Sequence, residues 1–537
     1  MSQAAAAVPG RAARVREREG ALAFALAAVV AAVAGLPLLY VLVRAAGAGA
    51  DTWSLLLDRR IPGLFANTVG LATVVCLLAG VLGAGLAYLT TLTDLPGRRL
   101  LAVGCALPLA VPPYVGAVIY ADLIGPRGVL QGWLEPLGVE RLPSIFGFDG
   151  AVLVLVLFTY PYVFLLATAA LSGLNPHYDE AARALGSGPL RLVATTARLI
   201  LPALAGGTLL VGLYVLSDFG AVSLMRFDTF TTVIYSELGG RFDPPAAAAL
   251  SSVLVVLTLG VLVAGQRLRG GGRYTQTGAG LGRRTIRPLG RWRRPALAGV
   301  AAVLVLTLGI PLARLGTWTL QTADAADFAD FAGWAANSML VSGVAATVAV
   351  LAALPVALTI ARGTRLGQAL GTLAQSGYAL PGVIVALAAV AIASRYLAPL
   401  YGTLGLLVAA FVVRFLPQAI QAEETGLQQI GGNLLDAARS LGARRGRAFA
   451  RVTLPLLRPS MTAGWIVVFL TAVKELPATL ILRPIGFDTL PVRVWTPARD
   501  GLYAEAGLAG LLLVLISIVP LALVLMRRRG EGATFLP

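Results

Sequence analysis

Apolar residues along this chain come in long blocks, not in the narrow stripes that mark a helix lying on a water-soluble core. Twelve blocks lie at roughly 21–43, 67–90, 100–124, 150–171, 203–225, 246–265, 296–315, 338–360, 370–393, 403–420, 461–482 and 507–526. Each holds about 17 to 25 residues, enough for a helix to cross a hydrocarbon core of about 30 Å. Inside lipid the backbone must satisfy its own polar groups, and a helix does so within one segment. The pattern therefore predicts an all-α polytopic membrane protein of about twelve transmembrane helices. The first block is too long for the core of a secretory signal and is not followed by a small-residue cleavage site. It reads as a retained span.

Composition sharpens this picture. Of 537 residues, 57% are hydrophobic and 13% charged, about half the charge of a soluble domain. The net charge of +17 comes from 43 basic and 26 acidic residues. In a membrane protein such an excess belongs to cytoplasmic loops, so no nucleic-acid partner is expected. The chain has one histidine, His177, and one lysine, Lys474. A His-rich zinc site and a relay of imidazoles are therefore excluded. Lys474 stands in Leu470-Thr471-Ala472-Val473-Lys474-Glu475, which is no phosphate-binding loop of the G-x-x-x-x-G-K-[ST] type. Cys76 and Cys105 fall inside apolar blocks and read as core thiols rather than a disulfide.

Arginine sets the expected orientation. Arg11, Arg14, Arg16 and Arg18 place the N-terminal arm in the cytoplasm. Even-numbered connections then lie inside, with Arg98 and Arg99, then Arg183, Arg191 and Arg198, and a cluster at Arg439, Arg444, Arg445, Arg447, Arg451 and Arg458. The stretch 266–295 holds nine arginines and no acid, and it reads as a cytoplasmic Arg/Gly-rich linker. Both termini are expected in the cytoplasm.

The linker separates two halves, 1–265 and 296–537, that repeat each other. Asn67-Thr68 opens the second block and Asn337-Ser338 the eighth. Phe227-Asp228-Thr229 answers Phe487-Asp488-Thr489, and Leu201-Pro202 answers Leu454-Pro455. Six spans per half return the chain to its starting side, so the two six-helix repeats are parallel, with a pathway expected between them. Pro112-Pro113 in the third span and Pro381 in the ninth should kink matching helices. Such kinks can gate, although prolines are also ordinary in membrane spans.

One motif recurs in the fourth and tenth connections, inside loops 175–202 and 430–455. The first copy is Glu180-Ala181-Ala182-Arg183-Ala184-Leu185-Gly186, after Asp179. The second is Asp436-Ala437-Ala438-Arg439-Ser440-Leu441-Gly442. Both read acid-Ala-Ala-Arg-x-Leu-Gly. Asn175-Pro176 offers a cap and a first-turn proline, the acid suits a helix start, the alanines thin one side, and Gly186 and Gly442 end the helix. His177, at the start of the first copy, suits a capping or docking contact.

This motif resembles the EAA loop of permeases of binding-protein-dependent ABC importers, and the resemblance covers both halves. It implies that each loop is a coupling helix docking on a separate cytoplasmic ATPase subunit, two copies in all. ATP and Mg would be bound there, this chain carrying no cofactor and doing no covalent chemistry. It also implies an extracytoplasmic substrate-binding protein and a place in the lipid of the bacterial inner membrane. The second copy keeps the family spacing through Val452 and Leu454-Pro455. In the first, Leu201-Pro202 stands three residues further on, and Asp436 replaces the family glutamate in the second. Within the family the chain looks most like fused iron(III) permeases, on Leu216-Ser217-Asp218-Phe219-Gly220-Ala221-Val222-Ser223, Lys474-Glu475-Leu476-Pro477-Ala478-Thr479 and Arg483-Pro484-Ile485-Gly486-Phe487-Asp488-Thr489-Leu490. Thiamine, polyamine, phosphonate and sulfate permeases share much of this pattern. An ion-gradient-driven secondary transporter fits twelve spans too, but does not predict the paired loops.

Four charges fall at membrane depth: Asp218, Arg414, Lys474 and Glu475. Asp218 and Glu475 occupy equivalent places in the two halves. Such groups face a bundle interior or water. All four, Asp218, Lys474, Glu475 and Arg414, are candidates for the translocation pathway, and for the carboxylates two roles stay open: lining that pathway, or a structural ion pair with Lys474 or snorkelling to an interface. Arg414 is expected to pair with an acid across helices.

Overall fold

The computed structural model describes residues 11–126, 128–139, 142–175, 177, 184–186, 188–238, 244–270, 286–322, 325–430, 440 and 445–530. Among them there is no strand, only one isolated backbone bridge between Thr93 and Arg287.

The first half runs through α1 (Arg11–Ala46), α2 (Ile61–Leu92), α3 (Arg98–Ala106), α4 (Pro113–Ile124), α5 (Phe148–Gly173), α6 (Pro189–Leu199), α7 (Leu201–Ser217), α8 (Gly220–Leu224), α9 (Phe230–Ser236) and α10 (Pro244–Gly270). The second runs through α11 (Arg293–Leu304), α12 (Ile310–Thr322), α13 (Ala325–Ile360), α14 (Arg365–Ala374), α15 (Gly382–Tyr396), α16 (Leu404–Ile430), α17 (Leu454–Ala472), α18 (Pro477–Leu482), α19 (Leu490–Arg499) and α20 (Gly507–Gly530). Among the described residues nine helices are long and apolar enough to cross a membrane, and up to twelve if each of three bent pairs is one span.

The bends fall where the backbone chemistry requires them. The third predicted span breaks before Pro113, with a 93° turn, and the ninth breaks at Pro381, with a 108° turn. Proline removes a helical donor and forces its predecessor out of the α region. Pro112 and Pro381 take extended backbone (ψ 137° and 149°) just before the next helix starts. The eleventh predicted span is shorter than its apolar run: α17 ends at Ala472, and the chain restarts at Pro477. The fifth likewise stops at Ser217 and restarts at Gly220.

By contacts the chain divides into two compact units that do not follow the two halves of the sequence. One comprises Met1–Val41, Met339–Ala478 and Leu482–Ile485; the other Leu42–Ser338, Thr479–Ile481 and Gly486–Pro537. Within the larger unit α2, α5 and α7 meet closely because small residues stand at the crossings. A Cβ at Gly83 would lie 2.8 Å from the Tyr160 carbonyl, and one at Gly207 would lie 2.7 Å from Val163 Cα. Close backbone approach is the usual device where lipid supplies no hydrophobic drive between helices. The outward faces stay apolar: Leu77 and Val81 are 64% and 75% exposed, as lipid contact requires. In the smaller unit α16 and α17 approach through Gly426, which faces Ser460, and Gly464, 3.0 Å from Ala422 Cβ by the same construction.

The repeat shows at the level of single bonds. Asn67 Nδ2 donates to the Asp228 carbonyl at 3.0 Å, and Asn337 Nδ2 donates to the Asp488 carbonyl at 3.0 Å. The hydroxyl after each asparagine accepts a backbone N–H at the following helix start: Thr68 from Phe230 (3.3 Å), Ser338 from Leu490 (2.8 Å). All these residues belong to the larger unit.

Candidate functional site

Both membrane-depth carboxylates stand at helix breaks. Asp218 follows the last residue of α7 in extended backbone (φ −68°, ψ 132°). It is 8% exposed. Its Oδ1 accepts the backbone N–H groups of Ala221 (3.0 Å) and Val222 (3.2 Å), the first donors of α8. Those donors would otherwise be orphaned at a helix start. Its own carbonyl accepts Thr231 Oγ1 at 2.6 Å, which ties the break to α9.

Glu475 stands at the matching break between α17 and α18 and is 6% exposed. Its Oε1 accepts the Ala478 N–H at 3.3 Å. The same oxygen lies 3.1 Å from Arg414 Nη1 of α16, close enough for charge pairing but misaligned for a hydrogen bond. The Arg414 guanidinium also rests 5.5 Å from the Phe415 ring centroid. A third element completes the cluster. Gly382 opens α15 after the Pro381 break, and a Cβ there would overlap both the Arg414 guanidinium and Glu475 Oε1. The carboxylate thus meets the first turn of α15, where the helix dipole favours negative charge. Arg414 thus pairs with an acid at the break after another helix. Lys474, at the same break, is half-buried.

The coupling motif is described only at its edges. Glu180, Ala181, Ala182 and Arg183, and Asp436, Ala437, Ala438, Arg439 and Gly442, lie outside the described residues. Asn175 Oδ1 accepts the His177 backbone N–H at 3.1 Å. Gly186 takes the left-handed conformation (φ 73°), which glycine adopts without a Cβ clash. The two exits differ. After Gly186 the chain runs through α6 and turns 67° at Ile200 into α7. In the second half residues 446–472 form one helical run, with a π-turn at Phe449–Thr453 leading into α17. The three extra residues of the first copy are thus accommodated by a bend.

Among the described residues no three of His, Cys, Asp or Glu come close enough to hold a metal ion. Cys76 and Cys105 are free thiols.

Residues 345–527 match the profile of the family described as binding-protein-dependent transport system inner membrane component. Over 496 residues the chain is 29% identical to an Fe(3+)-transport system permease protein of Haemophilus influenzae, covering 91% of this chain and 94% of that protein. It is 24% identical to a ferric transport system permease protein of Actinobacillus pleuropneumoniae, covering 88% and 72%. It is 30% identical to a sulfate transport system permease protein of Escherichia coli K12, covering 42% of this chain and 79% of that one. The chain belongs to this permease family. It is a multi-pass membrane subunit of an importer and is not itself catalytic. Within the permease, Gly382 is the participant that hydropathy did not reveal. Its signal was a glycine directly after a helix-breaking proline.

Proposed function

We propose that this permease carries iron(III) across the membrane, delivered by an extracytoplasmic binding protein and driven by a separate cytoplasmic ATPase. The observation that carries the reading is the end-to-end match to the Fe(3+)-transport permease, which takes in both halves and the linker region. The sulfate match favours sulfate as the second reading, but it extends over 42% of this chain.

Two ATPase copies would engage the two acid-Ala-Ala-Arg-x-Leu-Gly loops and would hold the ATP and Mg. The arginine distribution puts these loops, the linker 266–295 and both termini on the cytoplasmic side. Leu185 supports the docking reading: it is the leucine of the first motif and is 86% exposed, a large apolar side chain suited to a partner's groove. The two helix breaks supply the moving parts. Asp218 and the Glu475–Arg414 pair fix the ends of α7 and α17, so that movement of the coupling loops reaches the breaks through these helices. Vesicles containing the permease, its ATPase and the binding protein should take up radiolabelled iron(III) only when ATP is present inside. ATP-independent uptake that follows an ion gradient would overturn the reading in favour of a secondary transporter.

A further inference from the structure

At the end of α7 away from the coupling loop, α8, α9 and α19 enclose a cavity of about 580 Å³. With 17 residues, α7 separates the two ends by roughly 25 Å. The cavity is neither apolar nor acidic. Arg226 and Arg499 line it together with one carboxylate, Asp228, and the Tyr503 side chain. Among the described residues no carboxylate lies within pairing distance of either guanidinium.

Its wall is aromatic and fixed. Phe219 stands 4.5 Å from Tyr235 and 5.8 Å from Trp495, ring centre to ring centre. The Trp495 indole donates to Ser223 Oγ at 3.1 Å. The arginines lie over rings rather than reaching away from the wall: Arg226 over Phe146 at 4.6 Å and Arg499 over Trp495 at 5.4 Å. Arg226 holds φ 54°, the one non-glycine described residue in the left-handed region. A long side chain keeps that backbone only where its surroundings impose it, and such residues gather at ligand sites.

Two guanidiniums held against aromatic rings present forked donors that match carboxylate or phosphate oxygens. They repel a bare trivalent cation. We propose that this cavity is a binding site for a small oxyanion or polycarboxylate. Resting on the iron(III) reading, the further consequence is that the ion enters the permease within an anionic ligand shell.

The permease–ATPase complex in lipid nanodiscs would be titrated calorimetrically with citrate, inorganic phosphate, sulfate and ferric citrate at constant chloride. Saturable binding of at least one of them is expected, weakened about tenfold or more by Arg226→Asn and by Arg499→Gln. Asparagine tolerates the left-handed backbone, so Arg226→Asn separates lost charge from lost fold. Flat titrations, or affinities unchanged in both variants, overturn the site. If these substitutions abolish only stimulation by the binding protein, with no free anion bound, the cavity is a docking surface and the proposal also fails. Sulfate binding without ferric citrate binding keeps the site but overturns the entry of iron within an anionic ligand shell. Flat titrations beside ferric-dependent ATPase stimulation keep the iron reading and remove the site.

Discussion

Replacing Arg414 by glutamine removes one partner of a pair in which the side chains are 17% and 6% exposed. Glu475 keeps the Ala478 N–H at 3.3 Å and loses the charge 3.1 Å from its Oε1. Removing one member of a buried pair costs about 3–5 kcal/mol, because the remaining charge is left desolvated without compensation. Glu475→Gln is milder. Glutamine can still accept from Ala478, and Arg414 retains the Phe415 ring, so a loss of about 1–2 kcal/mol is expected. The double substitution leaves two neutral amides and should recover much of the Arg414→Gln loss. The assay is denaturant unfolding of the purified permease in mixed micelles, with membrane abundance as a second readout. Arg414→Gln within about 0.5 kcal/mol of the parent, or a double variant whose loss equals the sum of the singles, would refute the pairing.

Three other substitutions test the breaks and the coupling loop. Asp218→Asn keeps an oxygen for Ala221 and Val222 and should stay folded while slowing transport, whereas Asp218→Ala should cost about 1–2 kcal/mol in unfolding measurements. An Asp218→Asn variant that transports at the parent rate removes this carboxylate from the pathway. Gly382→Ala would force its methyl into Arg414 and Glu475, and a loss of about 1–3 kcal/mol in the same assay is expected. Gly186→Val strains a left-handed turn by about 1–2 kcal/mol. It should lower transport per ATP hydrolysed while the protein remains in the membrane, and unchanged coupling would argue against docking there.

Much of this architecture is legible in the sequence because membrane helices announce themselves by length. Pro112-Pro113 and Pro381 mark the two sharpest bends, though not the angles of 93° and 108°, which depend on what the second helix of each pair packs against. Hydropathy overextended the eleventh span because Leu476–Leu482 continues the apolar run. The stop came instead from Lys474-Glu475 and Pro477, a break that apolar averaging cannot register. The identities Asn67 and Asn337, Asp228 and Asp488 were visible as a repeat, but not as a shared bond from amide to carbonyl. The exchange of segments between the two compact units was not legible, since nearly uniform apolar helices carry little pairing information. Trp495, Arg226 and Arg499 are scattered in sequence and acquire meaning only when the fold gathers them.

If iron(III) is the substrate, a ferric-loaded binding protein drives this permease. Proteoliposomes holding the permease and its ATPase, supplied with the binding protein loaded with iron(III) or with sulfate, allow a direct comparison of ATP hydrolysis. Several-fold stimulation by the ferric form and none by the sulfate form is expected. Stimulation by the sulfate form alone, or by neither, would contradict it.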